Sequence, residues 1–512
     1  MNSTSKCQKS RFTKIVFSSG SAIVLKVVTF ICSFILTRLI IKTYGSDVNG
    51  MIGSITQFLG FITLLEGGIG GVARAVLYKP LAEKNNEQIC KVITYIERFF
   101  RIIALVFIVY AIIVAFIFPV FAEGFDFWFS FSLVLILSAS SFCEYFFGIS
   151  YAILINADQK NYVTNYFSFF ITILTFVASL ILIKFGFKIH IVKIVSVFIL
   201  IMKPILLSIY CKNKYNLTKV KLDKNENILP QKWSGIGVHV AYYLHRNTDT
   251  FLITIFLSLS MVSVYSVYNM IIGGVLTVIE SLSLGIEAAF GNMNVNGEFE
   301  NLKSRFKLFV SYYQFLCTLL LSCTVILIIP FVRLYTSSIT DADYVQPLFA
   351  ILFVSAEFLY CLRVPYNNLM VATNSFKEIR FGAYIEVCIN LLISIILVHF
   401  FGINGVVIGT ICAMLFRLAH YLWFFKRKKL NFEISWFIRT TICSFFCYLI
   451  AIVVSAFDFI KPLNYIVWCG FGFITIFAIT LLLIFVYFFF DRTHFGNLLK
   501  FIKMKLGRKK HD

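Results

Sequence analysis

Fourteen apolar runs, each about twenty residues or longer, follow one another along this 512-residue chain. Coiled as α-helix at about 1.5 Å per residue, a run of that length matches the ~30 Å hydrocarbon core of a bilayer. No water is present there to satisfy backbone amides, so such runs must be helices. They span residues 15–41, 51–72, 102–121, 127–155, 163–183, 191–210, 234–258, 265–290, 307–331, 347–371, 381–400, 405–425, 436–457 and 465–490. The expected fold is therefore an all-α integral membrane protein of about fourteen transmembrane helices. Hydrophobic residues make up 59% of the chain, more than a soluble core could bury. The first run is too long for a signal-peptide core and is expected to remain as the first span.

The net charge of +21 would suggest nucleic acid in a soluble protein. Here the basic residues instead sort by loop: thirty-three Lys and Arg fall in the segments assigned inside and five in those assigned outside. That asymmetry predicts both termini in the cytoplasm and excludes nucleic acid as a partner. The outside loops are short, which leaves no room for an extracytoplasmic catalytic domain. Cysteines lie mostly within apolar runs without zinc or redox spacing, so no metal and no cofactor is expected.

Sliding the chain along itself by 221 residues superposes Tyr44 on Tyr265, Gly53 on Gly274, Glu66 on Glu287 and Gly70 on Gly291, and brings Lys26 beside Arg246. Two parallel repeats of six helices follow from this. Residues 1–210 form an N-lobe, 211–233 a cytoplasmic loop and 234–425 a C-lobe. A terminal helix pair at 426–490 and a basic tail at 491–512, expected to lie on the inner leaflet, complete the chain.

Charges inside the apolar runs mark the functional candidates, because a charge at mid-bilayer costs roughly 2.5–3.5 kcal/mol on insertion scales. Lys26 lies about 11 residues into its run, roughly 16 Å deep, on a stripe with Ser19, Thr29, Ser33 and Thr37. In the seventh run His239, Tyr242, Arg246 and Asp249 share one face. Arg246 and Asp249 either neutralise each other or meet an anionic substrate and a coupling ion respectively. Arg363 and Arg417 either line the path or are paired. Arg38 and Arg74 stand at the outer end and the inner mouth. Glu66, Glu280 and Glu287 are candidates for ion coupling with Asp249, or partners for basic residues. Lys193 and Lys203 read as interfacial anchors, and close helix packing accounts for the glycines between Gly67 and Gly71.

Leu36-Thr37-Arg38, Tyr44-Gly45, the run from Leu64 through Glu66 to Gly70, Tyr78-Lys79-Pro80-Leu81-Ala82, Asn247-Thr248-Asp249 and Val264 to Asn269 together resemble the bacterial polysaccharide and O-antigen flippases of the multidrug, oligosaccharidyl-lipid and polysaccharide exporter superfamily. The resemblance implies two pseudo-symmetric six-helix lobes around a central cavity that opens alternately to either side, with the terminal pair as an accessory. It also implies a non-enzymatic role in O-antigen lipopolysaccharide or capsule synthesis. The substrate would be an oligosaccharide on a polyprenyl diphosphate, moved to the outer leaflet of the bacterial cytoplasmic membrane. Membrane lipids and the polymerase and glycosyltransferases of the same pathway would be partners. The embedded cations suit a diphosphate. Beside this stand an ion-coupled drug or metabolite exporter (antiporter) of the same superfamily and, as an enzyme, a membrane polysaccharide polymerase. The first favours acids over cations, and the second needs a carboxylate cluster or large loop that the sequence lacks.

Overall fold

The computed structural model describes residues 2–66, 69–218, 220, 236–283, 285–373, 375–427, 434–457, 459–493, 495–497 and 499, and side chains for these other than 2–16, 236–242, 244–246, 376–378, 426, 427 and 434. The described residues form helices and no strand: α1 (Asn2–Tyr44), α2 (Ser46–Gly60), α3 (Ile69–Glu83), α4 (Asn86–Ile117), α5 (Phe127–Cys143), α6 (Ile149–Ala157), α7 (Asn161–Lys184), α8 (Ile189–Tyr215), α9 (Ile236–Phe256), α10 (Leu259–Ser281), α11 (Ile286–Val295), α12 (Phe299–Tyr335), α13 (Pro347–Ala372), α14 (Phe376–Phe401), α15 (Ile403–Arg427), α16 (Ile434–Ala456) and α17 (Tyr465–Phe490). Thirteen helical segments among them are long and apolar enough to cross a membrane. The fourteenth expected crossing, α9, has 21 residues, and its His, Arg, Asn and Asp residues hold its hydropathy below that of the others. The protein is a multi-pass helical membrane protein.

Some helices outrun their apolar stretches. α4 begins sixteen residues before the apolar run at 102, capped by the Asn85 side chain, which accepts from the Gln88 amide at 3.1 Å. Glu87–Lys91 and Glu97–Arg101 pairs at i,i+4 support that polar extension.

The chain divides into two compact units, residues 1–243 with 258–263, and 244–257 with 264–512. In the first, α1 packs on α7, α7 on α8, α8 on α5 and α5 on α4. Ile40, Val48, Ile183, Ile189 and Val192 form one buried cluster there, covered by Leu36, Tyr44 and Phe129. α5 and α6 are joined by a π-helical turn, Glu144–Gly148. A β-carbon on Gly148 would lie 2.8 Å from Cβ of Pro204, so only glycine lets this turn rest against α8.

In the second unit α12 is the most buried span, with α11, α13, α16 and α17 against it. Phe306 sits among Phe290, Tyr366, Phe425 and Phe437. The terminal pair belongs to this unit: Trp468 donates to the Leu327 carbonyl at 3.2 Å, and Phe358 stacks on Tyr448 at 4.2 Å. α14 and α15 approach closely because Gly405 and Gly409 bring backbone against backbone.

Candidate functional site

Each unit interrupts a helix, and the two interruptions stand at corresponding places under the offset read from the sequence. The last α-helical residues of α2 and α10 are Gly60 and Ser281, and 281 − 60 = 221, the offset read from the sequence. After Gly60 the chain tightens into a 3₁₀ segment, Phe61–Glu66. After Ser281 it turns through Gly285, whose φ of 79° admits glycine readily, into α11. A hydroxyl takes a carbonyl three residues back at each break: Thr63 donates to Gly60 at 2.9 Å and Ser283 to Glu280 at 2.8 Å. Interrupted helices at matched places in two repeats are the strongest structural pointer to a transport site. Close packing does not explain Gly70, since a β-carbon there would meet nothing within 4 Å; Gly67 and Gly68 lie outside the described residues.

In the first unit, Lys26 is exposed on α1 with Ser19, Thr29 and Ser33, and has no hydrogen-bond or ion-pair partner among the described residues. Arg38 and Arg74 are half-buried. Glu66, at the end of the 3₁₀ segment, accepts a 2.6 Å hydrogen bond from Tyr145 in the π-helical turn. The residue before Tyr145, Glu144, pairs with Lys203 at 3.3 Å. Lys203, read from the sequence as an interfacial anchor, is therefore held by an acid of the same unit.

In the second unit a polar ladder runs along α14, with Glu386, Asn390 and Ser394 one turn apart and all buried. Glu386 holds Arg363 of α13 at 2.9 Å and Arg417 of α15 at 3.4 Å. Of the two roles open to these arginines, the structure describes pairing. Arg417 also donates to the Ile379 carbonyl at 3.0 Å and lies over the Tyr421 ring, as Arg363 does over Tyr360. One turn on, Asn390 donates to Thr410 at 2.9 Å, and Thr410 donates to Asp249, 3.2 Å from Oδ1. Tyr265 donates to the other oxygen of Asp249 at 3.4 Å. Asp249 is 6% exposed, and its neighbours here are hydroxyls and an amide, an oxygen-rich setting that suits a proton or a small hard cation. The side chains of His239, Tyr242 and Arg246 lie outside the described residues. Glu280 accepts from Tyr360 at 3.4 Å, and Glu287 is exposed in the first turn of α11, where a negative charge complements the helix dipole. Sequence reasoning passed over Glu386, although a lone acid followed by Asn and Ser at i+4 and i+8 in an apolar run was a visible signal.

The arrangement of helices is shared with solved transporters. The structure titled lipid II flippase MurJ, inward closed conformation, aligns with a TM-score of 0.68 over 91% of this chain and 98% of that one, at 15% identity. The chain is similar in fold to that structure, and also to transporters of the MOP superfamily. An inward-facing multidrug resistance MATE family transporter of that superfamily aligns at 0.54 over 81% of this chain and 99% of its own, with 14% identity. Its outward-facing conformation gives 0.54 over 83% and 96%, with 13% identity. At these identities the likeness is one of fold. No protein-family model and no curated protein sequence matches the chain.

Proposed function

We propose that this protein is a flippase, not an enzyme, that moves a polyprenyl-diphosphate-linked oligosaccharide from the inner to the outer leaflet of the bacterial cytoplasmic membrane. It works by alternating access, for the synthesis of a surface polysaccharide such as O-antigen or capsule. Two six-helix lobes, 1–210 and 234–425, carry the exchange, with both termini cytoplasmic. The observation that carries this reading is Lys26. An exposed cation at mid-span with no partner among the described residues is tolerable only where water reaches it, and a diphosphate passing along that wet face would meet it. The fold shared with a structure titled lipid II flippase supports the same class of cargo. Arg38, Arg74 and Arg246 are further cations for the path. Asp249, with Glu66, Glu280 and Glu287, couples movement to a proton or sodium gradient.

The fold shared with the MATE transporters favours a second reading, an ion-coupled exporter of a small molecule. One assay separates them. In proteoliposomes the wild type is expected to move a fluorescent lipid-linked oligosaccharide across the bilayer, and Lys26→Ala to slow it about tenfold or more with unchanged melting temperature. Asp249→Asn should remove the response to proton and sodium gradients. Full transport by a Lys26→Ala, Arg246→Ala double variant sinks the diphosphate path, and export of soluble cations in place of the lipid favours the exporter.

A further inference from the structure

Lys203 lies twelve residues into the apolar run 191–210 of α8 and seven before its end, so roughly 10 Å of apolar helix separates it from the nearer end. A charge held within such a run favours a polar or wet surrounding over lipid. Of the apolar residues that α8 exposes, Ile191, Ile194, Phe198, Met202, Ile205 and Ile209 share one face, and Leu200 stands on the other side. Lys203 is roughly 140° round the helix from the centre of that face, at 100° per residue. The Lys203 side chain is still 27% exposed, and that of Glu144 is 33% exposed. The buried Arg363–Glu386 pair, at 11% and 5%, is nearly sealed by comparison. The Lys203–Glu144 pair is partly open within the apolar run and turned from the larger apolar face of α8, the setting in which an embedded charge meets a water-filled cavity.

The local backbone is built to hold the pair there. Glu144 opens the π-helical turn and Gly148 closes it, and Gly148 fits against Pro204, the residue after Lys203. Single π-helical turns inside α-helices recur at functional sites. Tyr145, next in the chain, donates to Glu66 at the helix break, so whatever displaces Glu144 also pulls on the interrupted segment.

We infer that Lys203 is a docking cation for the phosphate groups of an anionic lipid-linked ligand, and that Glu144 is the counter-ion it exchanges for that ligand. This rests on the flippase reading. A diphosphate brings more charge and more acceptor oxygens to the ammonium than one carboxylate does. The exchange moves no covalent bond: the ligand's oxygens take over the ammonium protons, and Glu144 turns to water. Release of the ligand restores the pair.

The test uses the full-length protein in nanodiscs, with undecaprenyl diphosphate, undecaprenol and inorganic pyrophosphate as probes and thermophoresis as the readout. Wild type is expected to bind the diphosphate lipid and not the alcohol. Lys203→Gln should weaken binding about tenfold or more, and Lys203→Arg should keep it. Glu144→Gln, which removes the competitor, should tighten binding several-fold, an effect a purely structural pair would not show. Glu144→Gln combined with Lys203→Gln leaves no unpaired charge to unfold the helix, and should bind as weakly as Lys203→Gln at an unchanged melting temperature. Wild-type affinity in that double variant overturns the inference and leaves the flippase reading standing. Lys203-dependent binding of pyrophosphate without binding of the lipid upholds the anion site and overturns the flippase reading. Binding of neither probe overturns both.

Discussion

Glu386→Gln tests how the second unit is held together. The carboxylate of Glu386 faces Arg363 at 2.9 Å and Arg417 at 3.4 Å, and the three side chains are 5%, 11% and 3% exposed. Replacing the carboxylate by an amide leaves two guanidinium groups with no opposite charge at the position they both address. Breaking a buried ion pair in this way costs about 3–5 kcal/mol. At about 4 kcal/mol the folding constant falls roughly a thousandfold. Equilibrium unfolding in mixed micelles reads this directly. The companion is Glu386→Leu with Arg363→Met and Arg417→Met, which fills similar volume and buries no charge. Such replacements are neutral or stabilising by ~1–4 kcal/mol, so the triple variant should regain at least the stability of the wild type. A single variant within ~1 kcal/mol of wild type, or a triple variant less stable than the single one, refutes the buried-triad argument.

Two further perturbations follow from contacts. Gly409→Val places a β-carbon 2.1 Å from Oγ of Ser394 and 2.7 Å from its amide nitrogen; it should separate α14 from α15 and lower stability by about 1–3 kcal/mol, measured by the same unfolding assay, whereas Gly70→Ala, with nothing within 4 Å, should not. Tyr145→Phe removes the 2.6 Å bond to Glu66 and should cost about 1.5–3 kcal/mol, with faster hydrogen exchange confined to the 61–66 segment; unchanged exchange there would show that the break is held by other contacts.

Much of the fold was legible in the sequence, because apolar length and amide satisfaction leave a membrane chain few options. Each expected span falls on helix among the described residues, three of them (51–72, 127–155 and 265–290) on interrupted helix, and α9 carries a polar stripe that disguises it from a hydropathy count. The last residues of α2 and α10 stand 221 apart, although hydropathy alone reads both stretches as continuous spans. The contacts at the breaks, Thr63 to the Gly60 carbonyl and Ser283 to the Glu280 carbonyl, are too short in range for periodicity to reveal. Charges were harder to place. Arg363 and Arg417 stood in the sequence as cations without visible partners, since Glu386 lies 23 residues after one and 31 before the other and only packing unites them. Lys203 stood without a visible partner for the same reason, since Glu144 lies 59 residues before it and only packing unites them.

The division of the chain bears on the order in which the protein can be made. The first unit includes Ser258–Ser263, which the ribosome delivers only after Leu244–Leu257 of the second unit. Asn49 waits for Ser263, to which it donates at 2.8 Å, and Gly50 for the Leu259 carbonyl that occupies the space where a β-carbon would be. A nascent chain halted at residue 233 therefore carries α1 to α8 and still lacks the strap that finishes them. Cutting the gene after residue 233 therefore leaves the first piece without the partners of Asn49 and Gly50, which arrive only with the second.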